Sequence, residues 1–512
     1  MGRARAARWV WQKSGGIVRE MVISVPASRR SWVPLWAGAV TASSFGPYVI
    51  GGLRTEQMAV YASTVFVLTL GSWMLLGYPV AGVGFLLLWT LLASVAAINA
   101  VGAGPASKFQ PGDLLAGLDN LAAVAVLLLV VPLWAERAGT RPVLRAVAGV
   151  AVAGLLLNTA IVVVSWRLAS VTWLPLLSTF WASGTEETVA VRALGNGRYT
   201  GIFNQPVEAG LAYSLGIMLL LYLAQTSTSG RRLGPWLVAG LIGMAAAGLL
   251  SGSKIFILGG VPVLAVLILR DRRRRNTAVL LAVLGVLLAG MAWLAGLRVV
   301  SPDAYLVRLL RAGTDPLTTL TSGRFGDGGV SGVTDSVLEL TPALGYGAGG
   351  LLVPYDSAWV EALVIAGAVG VLLLGLFYVA LALRWASLRR TAAGPETTLG
   401  GGAIALTVLA SVGTPALTLN RVGTLMVIVL VLTLLRPSDG KGTPGCAGAS
   451  AFDQTTAPHR AVASTDDSSA HRASSPPVTA ARAQQTPVAR SRQPQPTSAM
   501  SGGNGSGPLT PS

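Results

Sequence analysis

Between about Trp32 and Leu435 the chain carries eleven or twelve apolar stretches, each long enough to cross a lipid bilayer. A membrane-spanning helix needs roughly 20 apolar residues, and residues 80–99, 114–134 and 277–296 meet this need with almost no charge. Only 12% of all residues are charged, against about 25% in an average soluble domain. The sequence therefore predicts an all-α, polytopic integral membrane protein.

The basic residues predict the orientation of this protein. Lysine and arginine concentrate in cytoplasmic loops, so we expect the N-terminal arm, residues 1–31, to be cytoplasmic. About twelve spans, with both termini in the cytoplasm, place the other basic clusters on that same side; these are Arg137/Arg141/Arg145, Arg231/Arg232, Arg270 with residues 272–275, and Arg384/Arg389/Arg390. The spans predicted in this way are residues 33–53, 57–76, 80–99, 113–134, 143–165, 207–225, 235–250, 255–269, 277–296, 357–383, 399–418 and 421–435. The net charge of +17 is thus a membrane-topology signal, and no nucleic-acid partner is expected.

Two long polar loops, residues 166–206 and 297–356, interrupt the membrane domain of residues 32–436. In the predicted topology both loops are extracytoplasmic, where neither ATP nor nucleotide sugars are available. Residues 437–512 are rich in Ser, Thr, Pro, Ala, Gln and Gly, a composition that predicts a disordered cytoplasmic tail. Any reaction at the outer face must therefore use a substrate that is already energised and attached to lipid.

The single cysteine and both histidines lie in the predicted tail, at Cys446, His459 and His471. Histidine is the usual general base near neutral pH, and histidine or cysteine supplies most zinc ligands. The membrane domain therefore cannot use a Ser/His/Asp triad or a conventional zinc site. We expect no metal and no cofactor, and chemistry by carboxylates, arginines, hydroxyls and tyrosines.

Several basic residues are placed on the outer side, against the general trend. Long translocated loops ignore that trend, which is an alternative explanation for Arg167, Arg192, Arg298 and Arg308. The complete outward set is Arg54, Lys108, Arg167, Arg192, Arg198, Lys254, Arg298, Arg308, Arg311, Arg324 and Arg421. Three of these, at positions 198, 254 and 324, are distinguished by their neighbours.

Arg198 begins the sequence Arg198-Tyr-Thr-Gly201-Ile-Phe-Asn204-Gln-Pro206, which leads directly into a predicted span. Gly201 permits a close backbone approach, and Pro206 suits the first turn of a helix. At headgroup depth, the planar donors of Arg198 are suited to bidentate binding of a phosphate. Glu208, in the first turn of the span, is expected either to cap the helix or to pair with Arg198.

Lys254 ends the sequence Ser251-Gly-Ser-Lys254 between two apolar stretches. A cation near membrane depth is costly unless it is paired or bound to a ligand. The alternative is a lysine that extends its ammonium group to the membrane surface.

Arg324 lies in Thr321-Ser-Gly-Arg324 within the second long loop. From this point the chain resembles the O-antigen ligase and polymerase family of bacterial membrane glycosyltransferases, over about residues 190–435. The matching elements are Arg-x-x-Gly-x-x-Asn at residues 198–204, Ser-x-Ser-Lys at 251–254, Ser-Gly-Arg at 322–324, Pro-x-x-Gly-x-Gly at 342–347, and a loop-to-helix junction that ends in Gly367-x-x-Gly370.

The resemblance implies a mainly helical fold of about twelve spans. It also implies transfer of a glycan from a polyprenyl pyrophosphate carrier onto a sugar hydroxyl, at the outer face and without nucleotide or metal. In ligases of this family the residue at the junction is usually a histidine, often followed by asparagine, whereas this chain has Asp356 followed by Ser357. This difference favours a polymerase or a related glycan transferase.

Specific roles follow from the chemistry of the transfer. Departure of a pyrophosphate needs fixed cations, which Arg198, Lys254 and Arg324 would supply. The attacking hydroxyl needs a carboxylate base.

We expect that base to be Asp356, with Glu361 or Asp335 as substitutes; Asp356 could instead act only as a helix N-cap. Asn204 and Glu208 are expected to support the phosphate site. Asp119, within the fourth predicted span, is a further acid expected to be functional because of its depth in the membrane.

Two other classes of protein remain open. A multi-span transporter or flippase for an envelope glycolipid would place its ionisable residues near the midplane of the membrane and show related halves. A structural membrane protein would not need clustered outer arginines. The polar signal in the outer loops favours the glycan transferase, with the cell membrane as its location.

The topology can be tested with fusions. A reporter inserted within residues 313–333 should be extracytoplasmic, and one placed after Arg436 should be cytoplasmic, because the basic clusters follow the positive-inside rule. Protease protection or a pair of compartment-specific reporter enzymes would measure this. The opposite pair of locations would reverse the topology.

Overall fold

The computed structural model describes residues 32–49, 54–70, 78–102, 114–168, 177–181, 189–227, 235–270, 330–350, 357–392 and 394–434. Within these ranges the chain is helical, apart from turns and one isolated bridge between Tyr48 and Arg54. The prediction of an all-helical chain is confirmed for this part of the protein.

The helices within the described ranges are numbered here in chain order. They are α1 (Trp32–Ser43), α2 (Thr55–Leu70), α3 (Val80–Gly102), α4 (Leu114–Ala138), α5 (Thr140–Leu168), α6 (Val189–Gly195), α7 (Pro206–Thr226), α8 (Pro235–Leu250), α9 (Val261–Arg270), α10 (Val330–Leu340), α11 (Ala358–Thr391), α12 (Pro395–Gly413) and α13 (Asn420–Leu434). A π-helical turn, Phe256–Gly260, precedes α9, and a short 3-10 turn, Ala348–Gly350, follows α10.

Among the described residues, six helices are long and apolar enough to cross a membrane: α3, α4, α5, α7, α11 and α12. Shorter apolar helices are α8, α13 and the segment Phe256–Leu267. The chain is therefore a membrane protein, as predicted. The total of twelve spans stays a prediction, and the predicted span at residues 277–296 lies outside the described residues.

The first predicted span, residues 33–53, is wrong in its length. Helix α1 ends at Ser43, and the next three residues turn the chain through hydrogen bonds from their amides to the Thr41, Ala42 and Ser43 carbonyls. Pro47 follows this turn and has no amide hydrogen with which to continue a helix. The Gly46-Pro47 pair therefore ends the helix about ten residues earlier than the apolar pattern suggests.

Helix α13 lies at the centre of the bundle. Each side chain from Arg421 to Leu434 is buried, and α13 contacts α4, α5, α7, α11 and α12. A helix that is apolar on all sides belongs in such a position. The first residues of α13, Asn420 and Arg421, consequently bring polar groups into the middle of one end of the bundle.

The chain reverses direction at residues 251–253. Helix α8 runs antiparallel to α7, because Gly240 packs on Leu220 and Met244 lies beside Gly216. After the turn, Phe256 packs on Gly210 and Gly260 packs on Ser214, so the chain returns alongside α7 in the same direction as α7. The Ser251–Lys254 motif is thus the tip of a helical hairpin, beside the start of α7.

Two basic clusters predicted to be cytoplasmic meet at the other end of the bundle. Arg141 Nε lies 2.7 Å from Oε1 of the buried Glu396, at the start of α12, and Arg145 donates to the last turn of α7 at Thr226 O. Arg384 donates to Leu434 O at the end of α13. The structure thus places Arg141, Arg145 and Arg384 at the end of the bundle opposite to Arg198 and Lys254.

Helix α11 is broken near its start. Ala366 and Gly367 have non-helical backbone angles, and Gly367 has a φ of 60°. The break leaves backbone amides of α11 without partners in the helix. The loop at residues 342–346 provides them, since the amides of Ala368 and Val369 donate to the Pro342 and Ala343 carbonyls. The Tyr346 amide donates back to Val364 O over 2.6 Å. In lipid, a broken helix is tolerated only where other protein groups satisfy its backbone, and this loop does so.

Replacing Gly367 by alanine should destabilise the protein by about 1–3 kcal/mol or more, because the residue has a positive φ and a Cβ there would collide with the Ala343 carbonyl. Gly375→Ala on the same helix is the matched control, since its nearest new contact would be Trp359 at 3.9 Å. Thermal unfolding of both purified variants in detergent would measure the difference. Equal melting temperatures for the two variants would contradict the predicted strain.

Candidate functional site

Residues 198–204 cross one end of the bundle as an irregular segment that is hydrogen-bonded along most of its length. The Arg198 amide donates to Ala193 O, and the Tyr199 amide to Leu250 O over 3.0 Å. The Trp181 indole donates to Gly201 O over 3.1 Å. Buried backbone groups need hydrogen-bond partners, and this segment draws them from several parts of the chain.

The Asn158 side chain of α5 forms hydrogen bonds on both sides of Gly201. Its side-chain amide donates to Thr200 O and accepts from the Ile202 amide, and it also donates to the Tyr213 hydroxyl of α7. Gly201, between the two contacts, has a φ of 63°, and a Cβ there would collide with Asn158. The predicted close backbone approach at Gly201 is confirmed, and its partner is Asn158.

The structure brings Arg198 to the hairpin tip that carries Lys254. Arg198 Nη2 donates to Gly252 O over 3.0 Å, and the guanidinium is partly buried. Lys254 follows two residues later and is also partly buried. Two motifs that are about fifty residues apart in the sequence therefore form one site.

Arg421 fastens the same segment to the central helix. It is 1% exposed, and its guanidinium donates to Ile202 O over 2.6 Å and to Phe180 O over 2.7 Å. The rings of Tyr48 and Phe180 lie 5.3 and 5.9 Å from its central carbon. Burial raises the pKa of Tyr48 to about 12, with the Glu208 carboxylate adding to the rise, so the phenol stays neutral at physiological pH. One arginine thus ties three connections of the bundle to α13.

Glu208 acts as a cap of α7. Its Oε2 accepts from the Asn204 amide over 3.0 Å, and Pro206 occupies the first turn as predicted. The side chain is 1% exposed, and the guanidinium groups of Arg421 and Arg54 are close enough to act on it electrostatically. Of the two expected roles, the cap is confirmed.

Arg54 forms a second buried cluster at this end of the bundle. Its guanidinium lies 3.1 Å from Glu56 and 3.7 Å from Asp119, and it donates to Asn120 and Asn420 over 2.9 and 2.5 Å. A guanidinium that is 7% exposed needs such compensation, because an isolated charge is very costly away from water. The cluster joins the start of α2, the second turn of α4 and the first residue of α13. In it Asp119 is an ion-pair partner of Arg54.

Arg54 and Arg421 were in the set of outward basic residues, but their roles were missed by the sequence argument. Each stands at the beginning of an apolar helix, at the end of the bundle where Arg198 and Lys254 also lie. This position is a usable signal, since a lone arginine in the first turn of a buried helix requires partners. The identity of those partners is not visible in the sequence.

Glu361 lies in a small and mostly apolar cavity. The carboxylate accepts from the Thr418 hydroxyl over 2.7 Å, and the side chain is 8% exposed. The lining also includes Trp89, Leu121 and Tyr378. Beside Glu361 the described residues leave space for about one water molecule.

Asp335 is not in contact with the other described candidate residues. It is exposed on α10, and no contact among the described residues brings it to Arg198 or Glu361. Arg324 and Asp356 lie outside the described residues.

The helix that follows Asp356 is capped by its neighbour. Ser357 has extended backbone angles, and its hydroxyl accepts from the Trp359 amide over 3.3 Å. The same hydroxyl donates to Ser411 O of α12. Capping, the alternative role for Asp356, is thus performed by Ser357.

A comparison with models of known protein families gives no match for this chain, and a comparison with curated proteins gives none either. In the part of the chain that the structure describes, no three His, Cys, Asp or Glu side chains come together in a group suited to hold a metal ion.

The roles of Asp356 and Ser357 can be separated by substitution. Ser357→Ala should lower the stability by about 1 kcal/mol because it removes the N-cap, with little effect on the specific activity of the folded protein. Asp356→Asn should leave the melting temperature unchanged and abolish glycan transfer if Asp356 is the base. Full transfer by Asp356→Asn would remove Asp356 from the mechanism and point to Glu361 or to a mechanism with no side-chain base.

Proposed function

We propose that this protein transfers or polymerises a polyprenyl-pyrophosphate-linked glycan onto a sugar hydroxyl, at the outer face of the cytoplasmic membrane, during the synthesis of a cell-surface polysaccharide. One observation carries the proposal: Arg198 binds the hairpin tip that holds Lys254, which places two cationic side chains at one end of an apolar bundle. A lipid-linked pyrophosphate has its hydrocarbon chain in the bilayer and its anionic group at the membrane surface, where one end of an apolar bundle would also lie.

The reaction would consist of one displacement. The acceptor oxygen forms a bond to the anomeric carbon, and the bond from that carbon to the phosphate oxygen breaks. The polyprenyl pyrophosphate departs with the electron pair, and the acceptor proton passes to a carboxylate. Arg198 and Lys254, together with Arg324 from the second long loop, would stabilise the charge that develops on the leaving group.

Asp356 is the preferred base in this proposal. Glu361 is the second choice, because it is buried and its carboxylate is held by the Thr418 hydroxyl in a small cavity. In the sequence Asp356 directly precedes Ser357, the N-cap of α11. A carboxylate at a loop-to-helix junction is reachable by an acceptor from the aqueous side.

A flippase or transporter for an envelope glycolipid is the second candidate. The break in α11 at Ala366 and Gly367 favours it, because transporters often build their substrate sites from discontinuous helices. The two candidates differ in an observable way, since a transferase forms a glycosidic bond and a flippase only moves the lipid.

Purified protein in nanodiscs with a lipid-linked glycan donor would test the proposal. Wild type should lengthen or transfer the glycan, also with a chelator present. Arg198→Ala should reduce the rate by orders of magnitude, and Arg198→Lys should restore little of it, because lysine lacks the bidentate fork. Arg192→Ala is the matched control, as this exposed arginine lies on α6, six residues earlier.

Wild-type protein that moves a labelled donor across a liposome membrane without forming a glycosidic bond would overturn the proposal in favour of the flippase. Loss of transfer on chelation alone would instead indicate a metal-dependent reaction.

A further inference from the structure

Arg421 is a buried arginine whose guanidinium donates two hydrogen bonds to backbone carbonyls. It is the second residue of the buried central helix α13, and it donates to the backbone of two separate connections, at Ile202 and Phe180. A guanidinium has a rigid planar arrangement of donors, so two such bonds fix both carbonyls relative to the helix. Arg421 therefore fixes both the distance and the orientation of the Ile202 and Phe180 carbonyls relative to α13.

The Ile202 contact acts on the segment that carries Arg198. Arg198 lies four residues before Ile202 and itself binds Gly252 O. Asn158, Trp181 and the Leu250 carbonyl bind the residues in between. Arg421 is the anchor that connects this segment to the centre of the bundle.

Glu208 completes this arrangement from the other side. It holds the Asn204 amide while its buried carboxylate interacts electrostatically with Arg421. The segment is held at Ile202 by the Arg421 guanidinium and at Asn204 by the Glu208 side chain.

We infer that Arg421 is a positioning residue, which holds the 198–204 segment, and with it the Arg198 guanidinium, in one conformation before the lipid-linked donor binds. The inference rests on the proposed function for its chemical meaning. Arg421 is buried beneath the segment and acts through Arg198, without contact to the substrate. Fixed donors stabilise a developing charge better than mobile ones, because they need no rearrangement at the moment of reaction.

Arg421→Lys tests this inference by kinetics. Lysine keeps the charge but cannot bind both carbonyls in the fork geometry. We expect kcat/KM for the lipid-linked donor to fall about tenfold or more, since a hydrogen bond to a charged group is lost. Arg384→Lys is the matched control, because Arg384 donates to Leu434 O at the opposite end of the same helix, and it should leave kcat/KM unchanged at a similar melting temperature.

A second measurement does not depend on transfer. In a Cys446→Ala background, which removes the single native cysteine, Thr200→Cys places a thiol within the segment at a position that is 4% exposed. Maleimide labelling of this thiol in detergent should be slow. Adding Arg421→Lys should accelerate the labelling about tenfold or more, and adding Arg384→Lys should not.

The outcomes are distinct. Unchanged kcat/KM and unchanged labelling in Arg421→Lys, with only a lower melting temperature, would overturn the inference and leave Arg421 as a structural residue. Faster labelling in a protein whose wild type transfers no glycan would refute the proposed function while supporting the part of the inference that concerns the segment.

Discussion

The burial of two guanidinium groups at one end of an apolar bundle is the constraint on which the rest of this structure depends. Arg421 and Arg54 are 1% and 7% exposed, and neither can lose its charge in a protein. Both therefore take acceptors from the elements around them. Arg421 donates to backbone carbonyls, whereas Arg54 interacts with carboxylates and side-chain amide oxygens. The two arginines therefore hold different parts of the chain. Together they join the connections at this end to the central helix.

The same requirement explains the irregular backbone at this end. The 198–204 segment and the broken helix α11 both expose peptide groups that lipid cannot satisfy. In each case a second segment provides the missing partners: Asn158 and Arg421 for the first, and the loop at residues 342–346 for the second. The glycines at 201 and 367 have positive φ angles and allow these close approaches. Local irregularity and tertiary contacts thus depend on each other at this end of the bundle.

Part of the candidate site was predictable because it depends on local rules. Pro206 in the first turn of α7 and Gly201 at a close contact follow from the backbone preferences of these residues. The hairpin tip at residues 251–253 follows from the small polar residues between two apolar stretches. The capping role of Glu208 was one of two open alternatives, and the structure decides between them through the Asn204 amide. The length of α1 was predicted incorrectly, because apolarity continues past the point where Gly46-Pro47 ends the helix.

The sequence by itself determined that this chain is a helical membrane protein, since long apolar stretches have no other stable solution in water or lipid. It also determined that the membrane domain must work without histidine or cysteine. Only the tertiary structure decided which arginines are tied to which partners. Ile202 and Arg421 are 219 residues apart, and Arg54 and Asn420 are 366 apart. Such pairings depend on how the helices pack, and no local pattern of residues encodes them.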